Sequence, residues 1–176
     1  VQDLNNASDG DLLIAWALHR AAYKWREPEY EHLSIRLRQA IQRHLIRDYG
    51  GYALLLPARD GFVREDRVIV NLSYWVMPAL REFANVDPGG PWRRLLLDGE
   101  RLLREARFGD HALPPDWLTV YQDGRLEVAQ DWPPRFGFEA IRVPLYVVWA
   151  GRRREAGMAS IRAYWQSPVS RRPGST

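Results

Sequence analysis

Four short segments of the sequence place acidic, amide or hydroxyl side chains in or near clusters of aromatic residues. They cover residues 5–11, 71–75, 113–117 and 135–144. A carboxyl group can donate or accept a proton during bond cleavage, and a flat aromatic ring can stack on the apolar face of a sugar. Cleavage of a glycosidic bond needs one carboxylic acid to protonate the leaving oxygen and one carboxylate to activate water or attack carbon. The four segments therefore fit a carbohydrate-cleaving site.

Each polar residue in these segments also has a structural interpretation. Asp9 lies where a helix cap is expected, and Asn71 can cap a later helix. Asp116 can close the turn after two prolines, and Glu139 can pair with Arg142 three residues later. Composition and spacing leave both interpretations open.

Eight Trp and eight Tyr among 176 residues make this chain rich in aromatic rings. Its apolar fraction of 46% is typical of a globular protein with its own core. Cysteine is absent, which excludes disulfides and cysteine-based metal sites or nucleophiles. The four histidines lack metal-ligand spacing, and nothing in the sequence indicates a metal or organic cofactor. No apolar run approaches the roughly 20 residues that span a bilayer, so we predict no membrane insertion.

The net charge is +3 and the isoelectric point is about 9.4. Basic and acidic residues are interleaved along the chain, which favours a solvated surface, and we predict no nucleic-acid partner. A basic helical protein that binds nucleic acid is the third-ranked alternative. It would show an affinity for DNA or RNA that falls steeply with salt.

Apolar residues spaced by three and four predict six helices, with Ser8 or Asp9 as the first N-cap. The first two form an antiparallel hairpin, and Pro144 kinks the fifth. Extended segments are predicted at residues 54–57 and 67–70, and a β-hairpin at residues 118–121 and 126–129. The predicted helices cover residues 12–25, 28–47, 73–85, 91–107, 137–153 and 155–165.

Taken in order, the four segments resemble glycoside hydrolase family 8, especially bacterial cellulases associated with cellulose synthesis. The most specific match is NNASDGDLLIAWAL at residues 5–18. NLSYW at residues 71–75 is similar to the family's NPSY, and PDW at residues 115–117 matches its PDW. FEAIRV at residues 138–143 resembles its YDAIRV. The resemblance extends over roughly residues 1–165.

The resemblance implies an all-α fold, an (α/α)6 barrel of the six-hairpin toroid type, present here as a partial barrel with a small β-hairpin insertion. It implies an endo-β-1,4-glucanase that inverts configuration, acting on a polysaccharide. Glu139 falls at the position of the catalytic base, and Asp9 at the position of the Asp that grips the sugar at the cleavage point. Arg142 would orient nearby carboxylates. The remaining residues assigned to substrate binding are Asn71, Ser73, Tyr74, Trp75, Asp116 and Trp117.

Two departures from the family pattern leave alternatives open. The family's general-acid Glu lies in a SEGQSYG-like segment upstream of the first motif, and this sequence has no similar segment. The base position holds Glu139 instead of Asp, and Glu127 or Asp131 is an alternative base. The alternative function is therefore a non-catalytic glucan-binding module or an inactive remnant. Xylan and chitosan are alternative polymers.

We predict a partial catalytic domain over residues 1–166 and a disordered tail over residues 167–176. In a partial barrel, helix faces such as Trp16/Leu18 or Val147/Trp149 would be exposed, and such faces favour self-association. Secretion or periplasmic residence follows from the resemblance, and no signal peptide is recognisable in the sequence.

Overall fold

The structure, a computed structural model, describes residues 5–168. Six α-helices and five short strands are found in this part of the chain. The helices are α1 (Ser8–Trp25), α2 (Pro28–Leu45), α3 (Met77–Val86), α4 (Trp92–Glu105), α5 (Val143–Trp149) and α6 (Met158–Gln166). The strands are β1 (Ile46–Tyr49), β2 (Tyr52–Leu55), β3 (Arg67–Val70), β4 (Leu118–Tyr121) and β5 (Leu126–Val128).

Helices α1 and α2 form the predicted antiparallel hairpin. Helix α1 ends where Arg26 adopts a left-handed conformation with φ of 56°. Helix α2 starts at Pro28, which needs no N–H partner in the first turn. Between the helices, the buried Ser34 hydroxyl donates a 2.8 Å hydrogen bond to the carbonyl of Ala15. The apolar faces of both helices pack against the same hydrophobic core.

The β content is larger than the sequence predicts. Strands β1 and β2 form an antiparallel hairpin, so residues 46 and 47 belong to a strand and not to the end of helix α2. Strand β3 pairs with β4, and β4 pairs with β5, which adds a third strand to the predicted hairpin. At the β1–β2 turn, a Cβ on Gly50 would lie 2.5 Å from the carbonyl oxygen of Tyr121. The turn therefore packs closely against the second sheet.

Helix α1 starts at Ser8, so neither Ser8 nor Asp9 is its N-cap and that prediction is wrong. Ala7 occupies the N-cap position, with no side-chain hydrogen bond to the helix. Ser8 is instead fully buried, and its backbone N–H donates to the carbonyl of Pro57 at 2.9 Å. Asp9 is thereby free of the capping role.

The predicted third and fifth helices are each divided. A 3-10 turn, Leu72–Tyr74, precedes α3, and Asn71 caps it by accepting a hydrogen bond from the backbone N–H of Ser73. Residues 137–142 form a loop and a second 3-10 turn before α5 begins. Pro144 lies in the first turn of α5, where a proline is tolerated, so the predicted mid-helix kink is wrong.

Apolar side chains remain exposed on α1 and α5, although Trp149 is the only one of the four predicted residues that is exposed. Trp16 is buried against Trp149, with ring centroids 5.2 Å apart, Leu18 is half-buried, and Val147 is fully buried. Trp149 itself is 57% exposed. The other exposed large side chains on these two helices are Ile14, Tyr23, Trp25, Leu145 and Val148.

Residues 1–4 and 169–176 lie outside the described residues, so most of the predicted tail and its boundary stay predictions. Sequence and structure agree on where the last helix ends, since α6 stops at Gln166. Within residues 5–168, no helix combines the length and the apolar character needed to cross a membrane.

Candidate active site

Arg142 joins the two acidic side chains that the sequence assigns to catalysis. Its Nη1 lies 3.2 Å from Oδ2 of Asp9, and its Nη2 donates to Oε2 of Glu139. Asp9 lies in the first turn of α1, whereas Glu139 immediately precedes the second 3-10 turn. One guanidinium group therefore brings together carboxylates that are far apart in the sequence.

Asn71 and Ser73 contact the same carboxylate oxygen of Glu139. The Asn71 amide donates to Oε2 of Glu139 at 3.1 Å, and the Ser73 hydroxyl lies 3.2 Å from the same oxygen. Arg142 also donates to the Ser73 hydroxyl at 3.0 Å. Asn71 is 1% exposed and Ser73 is fully buried, and both side chains bind other groups of the site, so their contact with sugar stays a prediction. We call Asp9, Asn71, Ser73, Glu139 and Arg142 the Arg142 cluster.

Asp116 is also buried, at 4% exposure, and acts on the backbone that carries Glu139. Its Oδ1 accepts hydrogen bonds from the backbone N–H groups of Gly137 at 2.9 Å and Ala140 at 2.8 Å. Its Oδ2 lies 3.3 Å from Nε of Arg135. Asp116 thus shapes the segment around Glu139 through contacts inside the protein, and its contact with substrate stays a prediction.

Trp75 was predicted to line the groove, but it lies in the core. Its side chain is 1% exposed, and its indole N–H donates to the carbonyl of Leu95 in α4 at 3.0 Å. A Cβ on Gly99 would lie 2.6 Å from the same indole nitrogen. The backbone turns between residues 74 and 75, so Tyr74 stays half-buried beside the cluster while Trp75 points into the core.

Three aromatic rings stack beside the cluster, and only one of them was predicted as a site residue. Trp117 stacks on Phe62 at a centroid distance of 5.7 Å and on Trp132 at 4.6 Å, with interplanar angles of 5° and 16°. All three are partly exposed. Tyr74 meets Trp117 edge to face at 6.2 Å and so links this ring stack to the Arg142 cluster. Phe62 and Trp132 lie in turns and loops, where apolar periodicity gives no signal.

Charges in the site alter the pKa of two groups. Burial raises the pKa of the Tyr74 hydroxyl, and the negative charges of Asp9 and Glu139 raise it further. Burial acts to lower the pKa of Arg142, but its hydrogen bond to Glu139 and the charges of both carboxylates raise it above its ordinary value. Around neutral pH the site therefore holds a protonated phenol next to a permanent cation.

The alternative base residues occupy other surroundings. Glu127 accepts a hydrogen bond from the Tyr121 hydroxyl at 3.0 Å and pairs with Arg125 in the same hairpin. Asp131 is exposed beside Trp132. Among the described residues, no group of three or more His, Asp or Glu side chains is arranged to hold a metal ion.

Known proteins are similar to this chain in sequence. A probable endoglucanase of Novacetimonas hansenii is 42% identical over 95% of this chain, which covers 49% of that protein. An endoglucanase of Cellulomonas uda is 39% identical over 95% of this chain and 46% of its own length. The chain therefore spans about half the length of these relatives.

Solved structures agree with the fold. An endo-β-1,4-glucanase of glycoside hydrolase family 8 from an Achatina fulica gut metagenomic library matches with a TM-score of 0.91 and 38% identity, over 96% of this chain and 54% of that one. The endo-β-1,4-glucanase CMCax from Acetobacter xylinum matches with a TM-score of 0.88 and 42% identity, over 94% and 52%. Enzymes of this family are (α/α)6 barrels, so the predicted partial barrel is confirmed. The profile of glycosyl hydrolases family 8 matches residues 1–167, and the chain belongs to that family.

Proposed function

We propose that this chain carries the base side of an endo-β-1,4-glucanase, which hydrolyses internal bonds of a cellulose-like glucan with inversion of configuration. The observation that carries the proposal is the meeting of Asp9 and Glu139 on one guanidinium beside a stack of aromatic rings. Similarity to endoglucanases over almost the whole chain supports the same substrate class.

Glu139 is the proposed general base. Three donors, from Asn71, Ser73 and Arg142, surround its Oε2. Among the described contacts none engages Oε1, which leaves that oxygen to accept a proton from water. Glu is one methylene longer than the Asp usual in the family, and a displacement near 1 Å can cost about a hundredfold in rate. The three donors on Oε2 fix where the longer side chain ends.

Asp9, Tyr74 and Trp117 are the proposed substrate contacts. Asp9 is partly exposed, and its carboxylate can accept hydrogen bonds from sugar hydroxyls while Arg142 balances its charge. The Tyr74 hydroxyl stays protonated at neutral pH and can donate to a sugar oxygen or to the attacking water. The partly exposed face of Trp117 and its neighbours gives a pyranose ring an apolar platform.

The inverting reaction also needs a carboxylic acid on the opposite side of the glycosidic bond, roughly 6.5–9.5 Å from the base. Asp9 and Glu139 share one guanidinium, so we assign Asp9 as a sugar ligand and not as the acid. By resemblance to the family, the acid belongs to the Glu-containing segment that precedes the Asp9 motif in the whole enzyme.

Reducing-end release from carboxymethyl cellulose, together with migration in a glucan-containing gel, tests the proposal. Glu139→Gln keeps the shape of the side chain and should abolish release by the whole enzyme while migration stays retarded. Glu127→Gln is the matched control, because Glu127 pairs with Arg125 in the hairpin, and release should persist.

Three other outcomes are informative. Retarded migration with no release by the unsubstituted whole enzyme would favour the non-catalytic glucan-binding alternative. The absence of both retardation and release would overturn the proposal. Faster release from xylan or chitosan than from the cellulose derivative would show that the enzyme prefers that polymer. Residence outside the cytoplasm, secreted or periplasmic, is the matching proposal for location, and fractionation of producing cells tests it.

A further inference from the structure

A second cavity lies apart from the Arg142 cluster, between α6 and the loops on either side of the three-stranded sheet. Its volume is about 410 Å³, within the range of small-ligand pockets. Aromatic rings form much of its wall, and Asp110 and Arg135 lie at its edge. We call it the Tyr164 pocket, after the ring at its centre.

Tyr164 of α6 contacts two other rings in this pocket. Its ring centroid lies 5.1 Å from that of His111 and 6.3 Å from that of Phe136. Phe108 and Leu113 also line the pocket, and their backbones are joined by a pair of 3.0 Å hydrogen bonds. The apolar side chains of the pocket wall named here are partly exposed, and His111 is exposed. The rings of His111 and Phe136 are inclined to that of Tyr164 by 51° and 73°, so the pocket offers separate ring surfaces that are partly open to solvent.

The polar edge of the pocket indicates the ligand. Asp110 supplies a negative charge and Arg135 a positive one, and both residues are exposed. Charges of opposite sign favour a neutral ligand over a phosphate or a polyanion. A carboxylate and a guanidinium can together accept from and donate to hydroxyl groups. A ligand with an apolar ring face and hydroxyl groups at its rim combines both requirements.

We infer that the Tyr164 pocket is a second carbohydrate site that binds a short neutral oligosaccharide of about two pyranose rings. The choice of a β-1,4-glucan fragment as its ligand rests on the proposed function, whereas the existence of the site rests on the pocket alone. Tyr164 and Phe136 supply the stacking surface, and Asp110 and Arg135 bind hydroxyl groups.

The pocket is connected to the proposed base by a short hydrogen-bonded path. Arg135 lies 3.3 Å from Asp116 through its side chain, and its carbonyl accepts a 2.8 Å hydrogen bond from the backbone N–H of Asp116. Asp116 in turn holds Gly137 and Ala140, on either side of Glu139. An oligosaccharide that contacts Arg135 and Phe136 therefore stabilises the segment that carries Glu139.

Titration of the protein with cellobiose, followed by amide NMR, tests the inference. Saturable shifts are expected at Phe136 and at the Gly137 and Ala140 amides that donate to Asp116. Tyr164→Ala should weaken this binding roughly fivefold, and Tyr164→Phe should retain it, because the ring supplies the stacking. Sorbitol, an acyclic polyol with no ring face, is the negative ligand.

Trp132→Ala in the other ring stack is the matched control and should leave the shifts at the Tyr164 pocket unchanged. The inference is overturned if cellobiose shifts only residues around Trp117, or if Tyr164→Ala binds as the unsubstituted protein does. The two proposals fail in distinguishable ways. If the protein binds cellobiose at the Tyr164 pocket but the whole enzyme does not cleave glucan, the proposed function is wrong and the second binding site remains supported.

Discussion

Two networks of charged side chains cross this fold, and they differ in where their members come from. The Arg142 cluster collects side chains from the start of α1 and from two 3-10 turns. The second, which we call the His19 network, joins the sides of α1, α2 and α3. His19 lies 2.7 Å from Glu31 and 3.6 Å from Glu82. Its other members are Trp16, which donates to Glu82 at 2.8 Å, and Arg38, which donates to Glu31 at 2.8 Å.

The surroundings of the two networks explain their different roles. Residues at helix starts and turns can point out of the fold together, and the Arg142 cluster opens beside the ring stack. Residues on helix sides face the neighbouring helix, and the His19 network ties three helices to one another. We therefore expect the first network to control glucan cleavage and the second to control stability.

The largest expected effect is that of Arg142→Met. It leaves Asp9 and Glu139 adjacent with no compensating charge, which we expect to lower the free energy of unfolding by about 2 kcal/mol, since the group is partly exposed. Cleavage of glucan by the whole enzyme should fall at least about a hundredfold. Urea denaturation and reducing-end release measure the two effects. Cleavage at the unsubstituted rate would remove the Arg142 cluster from the mechanism.

Arg38→Met addresses the His19 network. Arg38 is 6% exposed and pairs with Glu31, so its loss should cost about 1–2 kcal/mol of stability while glucan affinity is unchanged. The matched control is Arg20→Met, because Arg20 pairs with Glu82 but its side chain is 62% exposed, and the change should stay below about 0.5 kcal/mol. A loss of glucan affinity in Arg38→Met would contradict the assignment of the His19 network to stability alone.

Trp149 covers the His19 network by packing against Trp16, and its own outer surface is exposed. Exposed apolar faces on α1 and α5 favour self-association of this chain. Trp149→Gln should reduce the associated fraction several-fold in sedimentation velocity, with little change in secondary structure. Leu97→Gln on α4 is the control for an exposed apolar residue on another helix. An equal reduction by both would show that association is not specific to this face.

The smallest expected effect is a shift in titration. The pKa of Tyr74 is raised by burial and by two carboxylates, so the folded protein retains this proton at a pH where the unfolded chain releases it. Tyr74 therefore contributes stability that is complete below the ordinary tyrosine pKa of about 10 and is lost as the pH rises above it. The titration of Tyr74 can be followed by tyrosinate absorbance after subtraction of the curve for the Tyr74→Phe variant. Its midpoint should move to lower pH when Glu139→Gln is introduced. An unchanged titration would mean that Glu139 does not act on this hydroxyl.

Much of the fold was predictable because its signals are local. The apolar spacing of residues 12–25 and the proline at residue 28 fix the α1–α2 hairpin, and alternation around the turn at residues 122–125 fixes β4 and β5. The pairing of β3 with β4 joins segments almost fifty residues apart, and no local pattern encodes it. The predicted fifth helix, residues 137–153, is longer than α5, because an apolar stretch does not reveal where the helical backbone begins and ends.

The candidate site was predictable as a set of residues but not as a geometry. Spacing and motif identified Asp9, Glu139 and Arg142, which the structure brings together. The same motifs could not show that Asn71 and Trp75 are buried, since burial depends on how each turn packs against distant helices. Phe62 and Trp132 were missed because stacking of rings from separate loops leaves no periodic signal.

The burial of Trp75 has a mechanical consequence for the site. Its indole lies between Gly99 and the carbonyl of Leu95, so the backbone position of Tyr74 depends on the packing of helix α4. Any side chain larger than hydrogen at Gly99 would displace the indole and, with it, the neighbouring phenol. Substitutions in α4 can therefore change the position of the Tyr74 phenol without altering any residue that is proposed to contact the substrate.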